Sequence, residues 1–449
     1  MNNKTNLETL TAVALLAAVV FSARADGTLQ TNSFQRPAWL AEASFGVKES
    51  YDDNIFQSGV GQPPLYTVAA GSVAALKDVS SWITTVSPKL DVNVAPLLGD
   101  QKALRVLSLA YAPDFTIFHD QDSESYDAQR FLAVVKGGSD TVSVSADNSF
   151  TFVDGSEFGP TFPGGLLSAF ATVNDRERRE QILDKANFAL QFNHGDWFVR
   201  PVATLLYQDM LTAKLNVPGY QSYADRYDVN GGADIGYRIT SSLAALVGYR
   251  YGHQQEEQFV FSPYSSPNDY QRVLFGLEGS PWHWLEVKLQ GGPDFRSYAG
   301  NSPTRVTPVN DHHPVKYYGE ALITARLTQA DTLTFKYKQW QWLSTLGKVP
   351  YFDSTYDLSY HRKLTNKLGF DLGGRILNWD YTSGNLSTCR RNDIEYTASA
   401  GLAYAVNSHV SLNAACNFDW GRNLQDGIEN PQNREFDHHL FSLGAQFKF

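Results

Sequence analysis

Cysteine and methionine are scarce here, at two residues each in a chain of 449. Two cysteines cannot build the disulfide framework that holds a small secreted fold. Cys389 falls in an expected loop. Cys416 falls in a later strand, opposite Ser399 or Ala400 in the expected hairpin. About ten residues, or roughly 30 Å of extended chain, separate that point from Cys389. A disulfide needs Cα atoms within about 7 Å, so both thiols are expected to be free. Charged residues are also few, at 19%, where ordinary soluble domains carry about 25%. The formal charge of −10 excludes the basic footprint of a nucleic-acid binder. No apolar run reaches the roughly 18 residues of a spanning helix, and the mean hydropathy of −0.31 is too polar for a bundle of apolar helices.

Catalytic signatures are missing too. No G-x-S-x-G elbow, H-E-x-x-H motif, Walker loop or dinucleotide fingerprint occurs. Gly59-Val60-Gly61 lacks a third glycine and a following helix. The adjacent pairs His312-His313 and His438-His439 point to opposite faces of a strand, so they make poor ligand pairs and are read as surface residues. Asp120, Asp122, Glu124 and Asp127 form an acidic cluster, but it lacks the glycine and terminal Glu of an EF-hand loop. No enzyme activity, cofactor or metal is expected.

Aromatic residues are plentiful, at 13%, which excludes disorder. Residues 10–23 read LTAVALLAAVVFSA, an apolar run of signal-peptide length. Ala23-Arg24-Ala25 follows as an A-x-A cleavage pattern, so residues 1–25 are expected to be a signal peptide. Its removal leaves the chain one unit more negative. Residues 26–39 are then a periplasmic N-terminal segment and 40–449 a single domain.

That domain alternates with period two. Leu285, Val287 and Leu289 interleave with Glu286, Lys288 and Gln290; Ile394, Tyr396 and Ala398 interleave with Glu395, Thr397 and Ser399. Alternation puts one residue set on each face of a strand. The runs are mostly 10 to 16 residues long, longer than sandwich strands with turns every 8–12 residues. Short connections such as 137–140, 193–196 and 328–331 alternate with long ones such as 57–79, 153–179 and 423–434. This is the turn-and-loop asymmetry of outer-membrane barrels. The fold expected is an all-β, transmembrane, antiparallel up-and-down barrel of about 18 strands, from 40–56 to 435–449. Closure follows from hydrogen bonding, because lipid satisfies no free strand edge. Aromatics near strand ends, such as Trp82, Trp197, Tyr237 and Tyr317, suit the two interfaces.

The last strand ends in Leu440-Phe441-Ser442-Leu443-Gly444-Ala445-Gln446-Phe447-Lys448-Phe449. Ser442, Gly444, Phe447 and Phe449 resemble the assembly signal of bacterial outer-membrane barrels, which implies the barrel-assembly machinery as a partner. Residues 45–56, with Tyr51-Asp52-Asp53-Asn54-Ile55-Phe56 at their core, resemble the opening strand of the putative beta-barrel porin 2 family. The resemblance implies a Gram-negative outer-membrane channel without an established substrate. Asp52, Asp53 and Asn54 also read simply as a solvated strand end.

Sixteen to eighteen strands leave an aqueous bore, so function reduces to pore width and charge. Turning each apolar set outward sends Arg200, Arg250, Lys288, Arg296, Arg326, Lys336, Lys338 and Arg375 inward. Inward acids are fewer, so the acidic excess is expected in loops, at Asp120, Asp122, Glu124 and Glu256 among others. The function expected is passive diffusion of small hydrophilic solutes, with a mildly anion-preferring bore. The competing reading is that these charges pair across strands and hydrate the wall. The loop 153–179, with Phe158, Phe162, Asp175 and Glu177, follows the fifth strand, where general porins fold a loop into the bore. It is a candidate constriction, or else an external lid. Outer-membrane lipid is the expected surrounding, and a homo-oligomer is compatible with it. An exopolysaccharide export conduit and a loop-plugged structural or adhesive barrel remain open. A lipid hydrolase would need a Ser–His pair on the lipid face, and none has convincing spacing.

Overall fold

The computed structural model describes residues 37–59, 65–69, 72–75, 79–98, 103–161, 176–215, 217, 220, 222–257, 267–298, 305–306, 309–310, 313–344, 350–381, 392–424 and 435–449. The expected signal peptide, 1–25, and nearly all of the expected periplasmic segment, 26–39, lie outside them.

Eighteen strands make one antiparallel sheet: β1 (Leu40–Asp52), β2 (Ser81–Asn93), β3 (Leu104–Tyr111 and Asp114–Phe118), β4 (Tyr126–Gly138), β5 (Val142–Asp154), β6 (Gln181–His194), β7 (Trp197–Met210), β8 (Arg226–Thr240), β9 (Leu243–Glu256), β10 (Asn268–Trp282), β11 (Leu285–Tyr298), β12 (Val315–Arg326), β13 (Asp331–Trp342), β14 (Tyr351–Lys363), β15 (Leu368–Asp380), β16 (Asn392–Ala405), β17 (Val410–Asn423) and β18 (Phe436–Lys448). Strand β3 is interrupted at Ala112-Pro113, where proline has no N–H for the ladder. Its register continues across the gap, with Leu90↔Tyr111 before it and Ile83↔Phe118 after it. Each strand pairs with its chain neighbours, and β1 pairs with β18 from Ser44↔Lys448 to Asp52↔Leu440. The sheet is thereby a closed barrel with no free edge, the one sheet architecture that lipid tolerates.

The outer face is apolar and capped by aromatics. Trp197 is 55% exposed and Tyr317 67%. Trp197 lies beside Tyr237, its ring tilted, at 4.9 Å near the short turns, and Tyr51 beside Trp82 at 5.2 Å near the long loops. Phe441, Leu443 and Phe449 are exposed on the same face. Cys416 lies opposite Ala400, as expected, and its thiol is free; Cys389 is outside the described residues. Two short ribbons, 65–69 with 72–75 and 305–306 with 309–310, stand within long connections. No alternation long enough to announce them runs through these segments.

Candidate functional site: a narrowed lumen

The inner face begins as a paired polar wall. Register sets Arg200 opposite Asp234 across β7 and β8. The guanidinium of Arg200 donates to both oxygens of Glu278 at 2.8 and 2.9 Å and to Asp234 at 3.1 Å. Arg250 takes the other Asp234 oxygen at 2.7 Å. Further along, Arg272 and Arg296 both reach Asp294 at 2.8 Å. The ring of Tyr270 lies over the bare backbone of Gly252, where a Cβ would collide with it, and its hydroxyl donates to Asp228 at 2.8 Å. Lys288 stands 3.5 Å from Glu320, Arg326 3.4 Å from Glu286 and Arg375 3.8 Å from Glu395. Of the eight basic residues singled out from the sequence, six therefore have a carboxylate partner. Lys336 and Lys338 have none among the described residues. They share one face of β13, and the Lys338 ammonium rests over the Trp340 ring at 3.6 Å.

Strand β13 then approaches the opposite wall. Trp340 and Trp342 stack with centroids 4.3 Å apart and planes 9° off parallel. Trp342 joins a buried cluster with Tyr351, Trp379, Tyr381 and Phe436, and Leu206 of β7 packs against it. The Arg226 guanidinium of β8 covers Trp342 at 4.7 Å and donates to the Leu343 carbonyl at 2.6 Å. Four strands separate β8 from β13, so these contacts cross the lumen. They leave two adjoining cavities of 580 and 640 Å³, which share Lys185, Leu206, Lys338, Trp340 and Trp342 as lining. The smaller is also lined by Arg176, Glu177, Arg226 and Asp353.

The segments entering the lumen from the long-loop end explain its narrowing. Ile55 and Phe56 are buried with Ile83 and Phe118. Glu124, 2% exposed, is gripped by Arg178 through its Nε and by Arg179 at 2.5 and 3.2 Å. Arg178 in turn lies over Phe56 at 5.2 Å. Gln181 donates to the Arg176 carbonyl at 2.7 Å, Gln208 to Gln181 at 2.7 Å, and Arg226 to Gln208 at 2.9 Å. This chain ties the loop before β6 to the narrowing.

Several expectations need correction. Glu124 is no solvated loop acid, because two guanidiniums enclose it. Among the described residues no cluster fit to hold a metal ion occurs. Glu256 is buried as well. His438 is no surface residue: its ring stands between Asp419 at 2.8 Å and Asp52 at 3.0 Å. Asp52 and Asn54 are buried and Asp53 is half-buried, so the three are no solvated strand end. Of the candidate constriction residues, Phe158 is half-buried and Glu177 is exposed and lines the smaller cavity. Phe162 and Asp175 lie outside the described residues. Arg176, Arg178 and Arg179 were the residues missed; their place in a charged run of mixed sign, 175–180, directly after an apolar loop was the signal.

No family model matches the chain, and no curated protein matches it in sequence. Solved structures do align with it. OpdO of Pseudomonas aeruginosa shares 13% identity over 91% of this chain and 97% of that one, with a TM-score of 0.41. OccK5 (OpdH) of the same organism shares 10% over 91% and 98%, with a TM-score of 0.42. The siderophore receptor PirA of Acinetobacter baumannii shares 8% over 91% and 81%, with a TM-score of 0.39. Likeness at this level carries no argument about function.

Proposed function

We propose that this barrel is an outer-membrane channel for the passive diffusion of small hydrophilic solutes. The observation that carries the reading is the pair of polar cavities inside a closed ring of strands. Arg200, Arg250, Lys288, Arg296, Arg326, Lys336, Lys338 and Arg375 line the bore in this reading. Of these eight, only Lys336 and Lys338 lack a carboxylate partner among the described residues, so the anion preference is mild and centred on β13. In planar bilayers under a salt gradient, the reversal potential is expected to favour anions weakly, and Lys336→Met with Lys338→Met to abolish the bias. Clear cation selectivity of the parent protein would overturn the charge assignment. The loop-plugged barrel is favoured by one observation, the contact of Arg226 with Leu343 across the lumen; it predicts a barrel that folds and does not conduct.

Assembly is part of the same proposal. Ser442, Gly444, Phe447 and Phe449 serve as the signal read by the barrel-assembly machinery after signal-peptide cleavage near Ala25. Phe449→Ser is expected to lower the amount of folded barrel in cells several-fold. Refolding of the purified variant in detergent is expected to be unchanged, because Phe449 is exposed on the outer face. Gel mobility before and after heating measures both.

A further inference from the structure

We propose that the narrowing is a binding site for an organic anion carried on a ring, with Lys185 and Lys338 holding the charge and Trp340 the flat face. The proposal deepens the channel reading, on which it rests for the solute's access to the lumen.

Charge comes first. Arg176, Lys185, Arg226 and Lys338 line the smaller cavity beside two carboxylates, Glu177 and Asp353. Elsewhere on the inner face guanidiniums are matched, as Arg200, Arg250, Arg272 and Arg296 are by Glu278, Asp234 and Asp294. Lys185 and Lys338 differ. Lys185 is exposed and Lys338 half-buried, and neither makes an ion pair or a hydrogen bond among the described residues. The partly desolvated Lys338 ammonium is costly without an anion. One stands on β6 and the other on β13, and both line both cavities. A small anion entering there meets ammonium groups from two walls.

The flat face is the second part. Trp342 is buried, but Trp340 is half-buried and lines both cavities. One face of Trp340 stacks on Trp342, and Lys338 lies over its ring. A cation–π contact of this kind is weaker than a hydrogen bond from an ammonium to an anion. An arriving anion therefore draws Lys338 off the indole and bares a surface for its own ring. Aromatic acids and cyclic sugar acids share this chemistry.

Calorimetric titration of the detergent-solubilised full chain tests the site, with benzoate, galacturonate and their neutral counterparts benzyl alcohol and galactose. Saturable binding of at least one acid is expected, with the neutral compound at least about tenfold weaker, as loss of one charge-assisted hydrogen bond requires. Benzoate alone would identify aromatic acids, and galacturonate alone sugar acids. Lys185→Met with Lys338→Met is expected to weaken the acid at least about tenfold, and Trp340→Leu to weaken it while leaving acetate unchanged. The single lysine variants serve if the double variant fails to fold. Binding of no acid, equal binding of the neutral compounds, or unchanged affinity in the lysine variants would overturn the site. Conductance separates the two readings: a silent barrel that binds the acid keeps this site and loses the channel, and a conducting barrel that binds none does the reverse.

Discussion

Glu124→Gln is expected to loosen the internal packing at the long-loop end of the barrel by about 3–5 kcal/mol, the usual result of removing one partner from a buried ion pair. Glu124 has no route to solvent, and its carboxylate is the shared acceptor of Arg178 and Arg179. The amide removes the charge and leaves both guanidiniums facing a neutral group. Arg178 also covers Phe56 and Phe118, so the Ile55-Phe56 wedge is expected to loosen with it. Faster amide exchange over 53–59 and 176–180, with exchange in β8 to β12 unchanged, is the measurement. Replacing all three groups, as E124L/R178M/R179M, is expected to cost less than E124Q alone, because no uncompensated charge stays behind. Equal protection in E124Q and the parent would remove the triad from the account of the narrowing.

The same group sets an acid response. Burial by itself would raise the Glu124 carboxyl, but Arg179 and Arg178 outweigh burial and hold it below the ordinary 4.5. A carboxyl lowered in the packed state stabilises that state fully above its unpacked value. The contribution declines below about pH 4.5 and is gone once the pH has fallen through the lower packed value. Exchange over 53–59 is therefore expected to accelerate on acidification in the parent protein and much less in E124Q.

The strands were legible in the sequence because a lipid-facing wall forces strict alternation over each span. All eighteen expected runs correspond to a strand, and the seam strands 40–56 and 435–449 became β1 and β18. What alternation reports is a face, not a partner. It placed Arg200 and Arg250 on one side, yet it could not say that Asp234 and Glu278 would neutralise them. The loop-borne groups were harder still. Glu124 sits beside Asp122, so local composition suggested a solvated acidic patch, whereas its partners Arg178 and Arg179 lie more than fifty residues on. His438 looked superficial for the same reason: Asp52 is at the other end of the chain, and closure of the ring alone makes them neighbours.

That closure yields the second large effect. Adjacent strands elsewhere are joined by a turn or a loop, but β1 and β18 meet with no direct connection, so their register depends on the ladder and on side chains. A slip of one residue would turn every apolar side chain inward. The Tyr51–Phe56 motif supplies the lock. Asp53 accepts from the His439 backbone N–H at 2.7 Å and pairs with its ring at 2.6 Å. Asn54 donates to the Asp437 carbonyl at 3.0 Å, and His438 bridges Asp52 to Asp419 of β17. His438→Leu leaves Asp52 and Asp419 facing each other without the imidazole, beside Glu395 on β16. The expected cost is about 3–5 kcal/mol, as for any buried charge stripped of its partner, read as a lower urea midpoint for loss of the fast-migrating folded band. Asp52→Asn with Asp419→Asn in the His438→Leu background is expected to recover much of that loss, since the repelling charges go with the histidine. Cross-linking of cysteines placed at Val47 and Ala445, which face each other across the seam, is expected to fall in H438L and return in the triple variant. An H438L barrel that melts and cross-links like its parent would show that the backbone ladder holds the seam unaided.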